Sequence, residues 1–169
     1  MPGALFVNLY GENNLSTVLN GKPLMVSQKT GYPFDGRVEL VVNAVGKKSL
    51  ETINLRIPEW CTKATVTVNG EAQQVDIKPN TYVELNRLWK KDDVIVLDMD
   101  MRARLIESHP LVEESRNQVA IKRGPIVYCL EQQDVDANID NVVIPADIKL
   151  VPVEMVIDGS KMVALEGTA

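Results

Sequence analysis

Thr65-Val66-Thr67-Val68-Asn69-Gly70, answered by Val75-Asp76-Ile77, decides the fold class of this 169-residue chain. Val66 and Val68 alternate with threonines, so one side of the segment is apolar and the other polar, the period of a half-buried strand. Asn-Gly then supplies two adjacent residues that tolerate positive φ, which a two-residue hairpin turn demands. The segment therefore predicts an antiparallel hairpin.

The same grammar extends in both directions. Leu5, Val7 and Leu9 share a face of the opening segment Leu5 to Tyr10, and Asn20-Gly21 turns the chain before Leu24, Val26 and Gln28 alternate. Gly31-Tyr32-Pro33-Phe34-Asp35-Gly36 reads as a loop of breakers. Val38, Leu40 and Val42 then point inward together, and Gly46-Lys47-Lys48 turns the chain. Ile53, Leu55 and Ile57 share the next face, until Pro58, with no N–H for a ladder, ends that strand. Tyr82 to Leu85 and Val94 to Leu97 follow, and the alternation Asp98-Met99-Asp100-Met101 predicts one strand continuing into Ala103 to Ile106. No spacing of i, i+3, i+4, i+7 persists for three turns, so no long helix is expected. The 23 valines and 11 isoleucines against 10 alanines agree, since β-branched side chains suit a pleated surface.

The expected fold is all-β: an antiparallel, jelly-roll-like β-sandwich over residues 1–110, then part of a second β unit over 111–169. Past residue 110 the texture changes. His109 to Asn117 reads as a loop, and Val119 to Ile121 and Ile126 to Leu130 as strands around Arg123-Gly124-Pro125. Val142 to Ile144, Glu154 to Ile157 and Met162 to Leu165 are short apolar pieces in need of partners. The expectation is a chain that stops before its second sheet is complete, with residues beyond about 132 covering their apolar surface either by folding back on the first sandwich or by self-association as a homodimer.

Composition removes several function classes. Eighteen basic against 23 acidic residues give a net charge of −5, so no excess cation exists to neutralise phosphates, and no nucleic-acid partner is expected. No run of 18 apolar residues offers a membrane span, and Met1-Pro2-Gly3-Ala4 has no basic and apolar leader pattern. Neither GxGxxG nor GxxxxGK[ST] occurs, so no phosphate-cradling loop is read. One histidine and two cysteines cannot make an ordinary four-ligand zinc site.

The candidate chemical groups each have a plain structural reading. Asp98 and Asp100 would lie on one face of a strand, at a spacing of roughly 6.6 Å that resembles a glycosidase carboxylate pair. With Leu97, Met99 and Met101 on the other face, however, they are the solvated side of an amphipathic strand. Glu113 and Glu114 are adjacent loop residues that point apart. His109 has no serine or cysteine at a motif spacing and no orienting acid. Cys61 and Cys129 sit at strand ends among apolar residues, where a thiol acts as a small buried hydrophobe; Lys63 and Arg123 are their nearest cations in sequence. Trp60, Trp89, Tyr10, Tyr32, Phe34 and Tyr82 could form a sugar-stacking platform, although eight aromatics in all must also fill the core. No catalytic, cofactor-binding or metal-ligating residue is assigned.

Particular strings say more than composition. Leu5-Phe6-Val7-Asn8-Leu9-Tyr10, Tyr32-Pro33-Phe34-Asp35-Gly36, Leu55-Arg56-Ile57-Pro58-Glu59-Trp60, Val68-Asn69-Gly70 and Arg123-Gly124-Pro125-Ile126-Val127-Tyr128-Cys129-Leu130-Glu131 occur in an order that resembles glycoside hydrolase family 127, the β-L-arabinofuranosidase-like enzymes. The resemblance covers residues 4–131. It implies an (α/α)6 barrel that carries the chemistry, with a cysteine nucleophile held near zinc by further cysteines and a glutamate, and a second glutamate as acid/base. All of these precede the string matching Leu5 to Tyr10, and the family's adjacent Cys-Cys pair is absent. The resemblance therefore implies a non-catalytic β-sandwich portion with no cofactor of its own, zinc belonging to the barrel, and that barrel as its partner. A free-standing carbohydrate-binding sandwich using Trp60 or Trp89 is the alternative.

Overall fold

The structure, a computed structural model, describes residues 3–46, 50–136 and 138–167. Lys47 and Lys48 of the expected turn lie outside these, as do Met1-Pro2 and Thr168-Ala169. The chain divides into two compact units, one ending at Met101 and the other starting at Arg102, whereas the sequence alone places the boundary at 110. The fold is all-β, with three single 3₁₀ turns, at Glu113–Ser115, Gln132–Asp134 and Ile139–Asn141, as the helical elements among the described residues.

In the first unit the strands are β1 (Ala4–Val7), β2 (Asn13–Leu19), β3 (Lys22–Thr30), β4 (Arg37–Val45), β5 (Leu50–Ile57), β6 (Ala64–Val68), β7 (Glu71–Ala72), β8 (Thr81–Leu88) and β9 (Val94–Met99). They form a six-stranded sheet in the order β2-β3-β4-β9-β6-β7 and a three-stranded sheet in the order β1-β5-β8. The alternating residues read from the sequence face each other across the sandwich. Leu24, Val26, Val38, Leu40, Val42, Val66, Val68, Ile95 and Leu97 come from the larger sheet, and Ile53, Leu55, Ile57, Val83 and Leu85 from the smaller, all buried in one core. At roughly 1.5–3 kcal/mol for each fully buried aliphatic side chain, this double layer is what holds the unit together.

Three local outcomes differ from the expected pattern. β1 pairs with β5 in parallel, Ala4 opposite Thr52 through Val7 opposite Leu55, so the smaller sheet is mixed. The Asn69-Gly70 turn forms with both residues at positive φ, 53° and 83°. Its two-residue geometry sets Glu71 opposite Val68, so the return strand is β7; Val75 and Ile77 pack against the core without joining a ladder. Finally, the long strand expected through Met101 is two strands. β9 ends at Met99, the Asp100 amide donates to the Lys63 carbonyl at 2.9 Å, and the chain leaves the sheet.

The second unit holds β10 (Ala103–Glu107), β11 (Val119–Arg123) and β12 (Ile126–Tyr128) in one antiparallel sheet, and β13 (Val151–Ile157) with β14 (Ser160–Glu166) in a separate hairpin. Asp158-Gly159 turns that hairpin at φ 50° and 79°. It repeats the logic of Asn69-Gly70 at a place the sequence reading left as isolated apolar pieces.

Candidate functional site

The sequence-derived candidates do not converge. Asp98, on β9, lies on the face opposite the buried Leu97 and Met99 and pairs with Arg37 across the ladder at 3.2 Å. Both side chains are about half exposed, and an exposed pair of this kind contributes about 0–1 kcal/mol. Asp100 lies beyond the end of β9, so strand geometry does not place the two carboxylates as a facing pair. In the second unit, Glu113 and Glu114 are exposed on a 3₁₀ turn, with Glu113 3.9 Å from Arg116. The exposed His109 accepts from the Leu111 amide through Nδ1 at 3.3 Å, a local loop contact.

The two cysteines part company. Cys61 is fully buried and its thiol donates to the Lys63 carbonyl at 3.3 Å, as the reading of a small core hydrophobe requires. Cys129 is exposed, which corrects the same reading there. It follows β12, the edge strand of its sheet. Neither cysteine is in a disulfide. Among the described residues no three His, Cys, Asp or Glu side chains gather in a way that could hold a metal ion, so the zinc implied by the family resemblance does not fit these residues and no chemistry is derived through it.

Six of the eight aromatics fall into three settings. Trp89 is buried and its indole N–H donates to the Glu51 carbonyl at 2.9 Å, with the Arg87 guanidinium 5.3 Å from its ring centre. It is a core residue, which removes it from any sugar platform. Phe6 and Tyr82 meet edge to face at 5.3 Å on the smaller sheet, and the Tyr82 hydroxyl donates to Asn8 at 2.7 Å.

Tyr10, Tyr32 and Trp60 form a continuous stack: Tyr10 meets Tyr32 edge-on at 5.8 Å, and Tyr32 lies nearly parallel to Trp60 at 6.5 Å. This cluster unites three of the strings that carry the family resemblance. All three rings are half-buried against the core, and the Tyr10 hydroxyl donates to the Arg56 carbonyl at 2.5 Å. The arrangement pins the opening strand and the breaker loop to the end of β5.

Burial, and then the neighbouring Tyr32, push the Tyr10 phenol far above the ordinary tyrosine range; burial raises Tyr32 too, against an opposing hydrogen bond with Trp60. A raised phenol pKa in the folded state has a defined sign. The stability it contributes is whole below about pH 10, the unfolded tyrosine value, and is lost as pH climbs towards the folded one. Thermal midpoints are therefore expected to fall from about pH 10 upward, and Tyr10→Phe to fall less steeply. Equal slopes for the two proteins would show that Tyr10 is not the group responsible.

A cavity of about 160 Å³ opens at the β1 edge of the sandwich, lined by Leu5, Val7, Leu15, Val26, Leu40 and Gln28. Gln28 is 3% exposed and spends its amide N–H groups on the Gly11 and Leu9 carbonyls, at 2.6 and 3.3 Å. The rest of the lining is Phe6, Leu9, Asn8 and Asn13. It carries no titratable pair, so it offers packing rather than acid–base chemistry.

Comparison with known proteins gives these observations a setting. Residues 4–101 match the family model of the middle domain of β-L-arabinofuranosidases of glycoside hydrolase family 127, and residues 103–158 match that of the family's C-terminal domain. A non-reducing end β-L-arabinofuranosidase of Bifidobacterium longum subsp. longum is 35% identical over 115 residues, 66% of this chain and 17% of its own length. Among solved structures, a glycoside hydrolase superposes with a TM-score of 0.92 at 52% identity, over 96% of this chain and 27% of that one. A family 127 β-L-arabinofuranosidase from Geobacillus stearothermophilus T6 superposes at 0.89 with 36% identity, over 99% and 26%. The chain thus spans about a sixth of the curated relative and about a quarter of the solved ones.

Proposed function

We infer that this chain, which belongs to glycoside hydrolase family 127, is the non-catalytic β portion of a β-L-arabinofuranosidase-like enzyme and buttresses a catalytic (α/α)6 barrel. The observation that carries the reading is the succession of two domain matches, middle then C-terminal, that together take in residues 4–158. The relatives that share these domains are several times longer, which leaves room in them for a separate catalytic part.

The local chemistry supports the same assignment. Retaining hydrolysis needs a nucleophile and an acid/base held about 5–5.5 Å apart. Asp98 is engaged with Arg37 on a solvated strand face, and the Cys61 thiol faces a backbone carbonyl inside the core. Neither is presented to a substrate. In this reading the nucleophile, the acid/base and the zinc all belong to the barrel, and what the sandwich supplies is packing.

Two measurements test it. The chain alone is expected to leave an aryl β-L-arabinofuranoside intact; turnover that disappears in Asp98→Asn or Asp100→Asn would overturn the non-catalytic assignment. Joined behind the catalytic barrel of a family 127 enzyme stripped of its own sandwiches, it is expected to raise the barrel's thermal midpoint, because a partner that binds only the folded state stabilises it. An unchanged midpoint would remove the buttressing role.

A further inference from the structure

The first unit turns twice on Asn-Gly, at Asn20-Gly21 between β2 and β3 and at Asn69-Gly70 between β6 and β7. All four residues hold positive φ, 51° and 75° in the first turn and 53° and 83° in the second. The pair that suits a two-residue turn is also the one whose asparagine carboxamide lies most open to the next backbone nitrogen, because glycine has no Cβ to bar the approach. Both turns stand in solvent, and nothing lies within 4 Å of a methyl group built on either glycine.

In each turn the carboxamide is nevertheless held, and by a buried carboxylate. Asn69 Nδ2 donates to Asp93 Oδ1 at 2.9 Å, its Oδ1 accepts from the Val94 amide at 2.8 Å, and its own amide donates to the Val94 carbonyl at 2.8 Å. An acceptor on one side and a donor on the other fix which way the carboxamide faces. Asp93 is 6% exposed, and its second oxygen accepts from the Lys90 amide at 2.8 Å. Asn20 repeats the arrangement by donating at 2.7 Å to the carboxylate of Glu51, which is buried as well. A carboxylate taken out of water is costly unless it is hydrogen-bonded. Each amide therefore supports its anion, and each anion holds its amide.

We propose that Asn69 is a deamidation site, which Asp93 guards while the sandwich is folded and whose product Asp93 repels. In the reaction the Gly70 nitrogen gives up its proton and bonds to Asn69 Cγ. The Cγ–Nδ2 bond breaks, and ammonia leaves with that proton. Water then opens the five-membered imide at one of its two carbonyls, giving an aspartate or an isoaspartate. One water is taken up and one ammonia released.

The folded turn opposes this in two ways. Cγ must swing over the Gly70 nitrogen, which the bonds to Asp93 and Val94 prevent. The negative charge that builds on the carboxamide oxygen during the attack would also grow beside an anion. Unfolding removes both obstacles. Once formed, the new carboxylate faces Asp93 with no N–H between them, and two carboxylates so close cannot both stay ionised. Their separation takes the turn off Val94 and loosens the tip of the hairpin. Each excursion to the unfolded state thus exposes the chain to a covalent change that weakens the refolded sandwich. The inference stands apart from the buttressing role, since nothing in it depends on the barrel.

Peptide mapping by mass spectrometry reads the conversion at Asn69 in the full chain, kept folded or in urea in the same mildly alkaline buffer. Conversion is expected to be at least about tenfold slower in the folded chain, because the guard includes a hydrogen bond to a charged group. Asn69→Asp mimics the product and is expected to lower the thermal midpoint by at least about 4 °C at neutral pH. Adding Asp93→Asn exchanges amide and carboxylate while keeping a partner for every group in the clamp, and is expected to restore most of that loss. An altered turn propensity alone would not be rescued in this way. No conversion in urea, equal conversion in the two states, a wild-type midpoint for Asn69→Asp, or a double variant no more stable than the single one would each overturn the proposal. If Asn69→Asp alone fails to fold, the double variant and the two conversion rates decide.

Discussion

Gly36→Ala is expected to lower the stability of the sandwich by about 3 kcal/mol, the upper end of what overpacking usually costs. A methyl group built on Gly36 would lie 2.2 Å from the Met99 carbonyl oxygen and 2.7 Å from the Met101 side chain. The first obstacle is backbone, so it cannot rotate away. Relief requires separating the start of β4 from the end of β9, where the Met99 amide donates to the Gly36 carbonyl at 3.0 Å and Arg37 stands opposite Asp98. For a unit of this size each kcal/mol moves the thermal midpoint by about 4–8 °C. Gly11→Ala is the matched control, because nothing lies within 4 Å of its added methyl and it is expected to change stability by less than about 0.5 kcal/mol. Equal midpoints for Gly36→Ala and the wild type in differential scanning fluorimetry would refute the packing argument.

That glycine also shows how far the sequence can be read. Tyr32-Pro33-Phe34-Asp35-Gly36 was legible as a breaker loop and as a string of family character, but not as a place where two strands touch through the absence of a side chain. Local alternation was enough for the core: Val38, Leu40 and Val42, and Ile53, Leu55 and Ile57, all lie buried as their period predicts. Pairing between distant segments was not legible. The parallel β1–β5 ladder joins residues 48 apart in sequence, such as Leu5 and Ile53, and nothing in either strand's own pattern announces the direction. Alternation likewise runs unbroken through Asp98-Met99-Asp100-Met101, while the backbone leaves the ladder after Met99 to bond Lys63. Periodicity reports which side chains share a face and is silent about when the sheet changes. The site candidates failed for a related reason. Residue type named Trp60 and Trp89 together, whereas burial separates them.

Trp89→Ala is therefore expected to be the most damaging of the aromatic substitutions, at about 3–5 kcal/mol. Two losses combine. The ring is 4% exposed among the apolar side chains of the core, so its removal leaves a cavity larger than neighbours held by two sheets can fill. Its indole also satisfies the Glu51 carbonyl over 38 residues of sequence, and a buried carbonyl stripped of its donor costs about 1–3 kcal/mol. The two are not additive, because collapse around the cavity can bring the carbonyl a new partner. Trp60→Ala removes a ring that is only half-buried and stacked on Tyr32, so its cost is expected to be clearly smaller. Chemical denaturation of both variants separates the structural from the binding reading. If Trp89 were a sugar platform, Trp89→Ala would unfold at the wild-type midpoint and lose affinity for arabinose-containing glycans. If it is the core residue its hydrogen bond and burial make it, the midpoint falls steeply, and Trp60→Ala falls less. A wild-type midpoint for Trp89→Ala would mean that the ring is not a core residue of the sandwich.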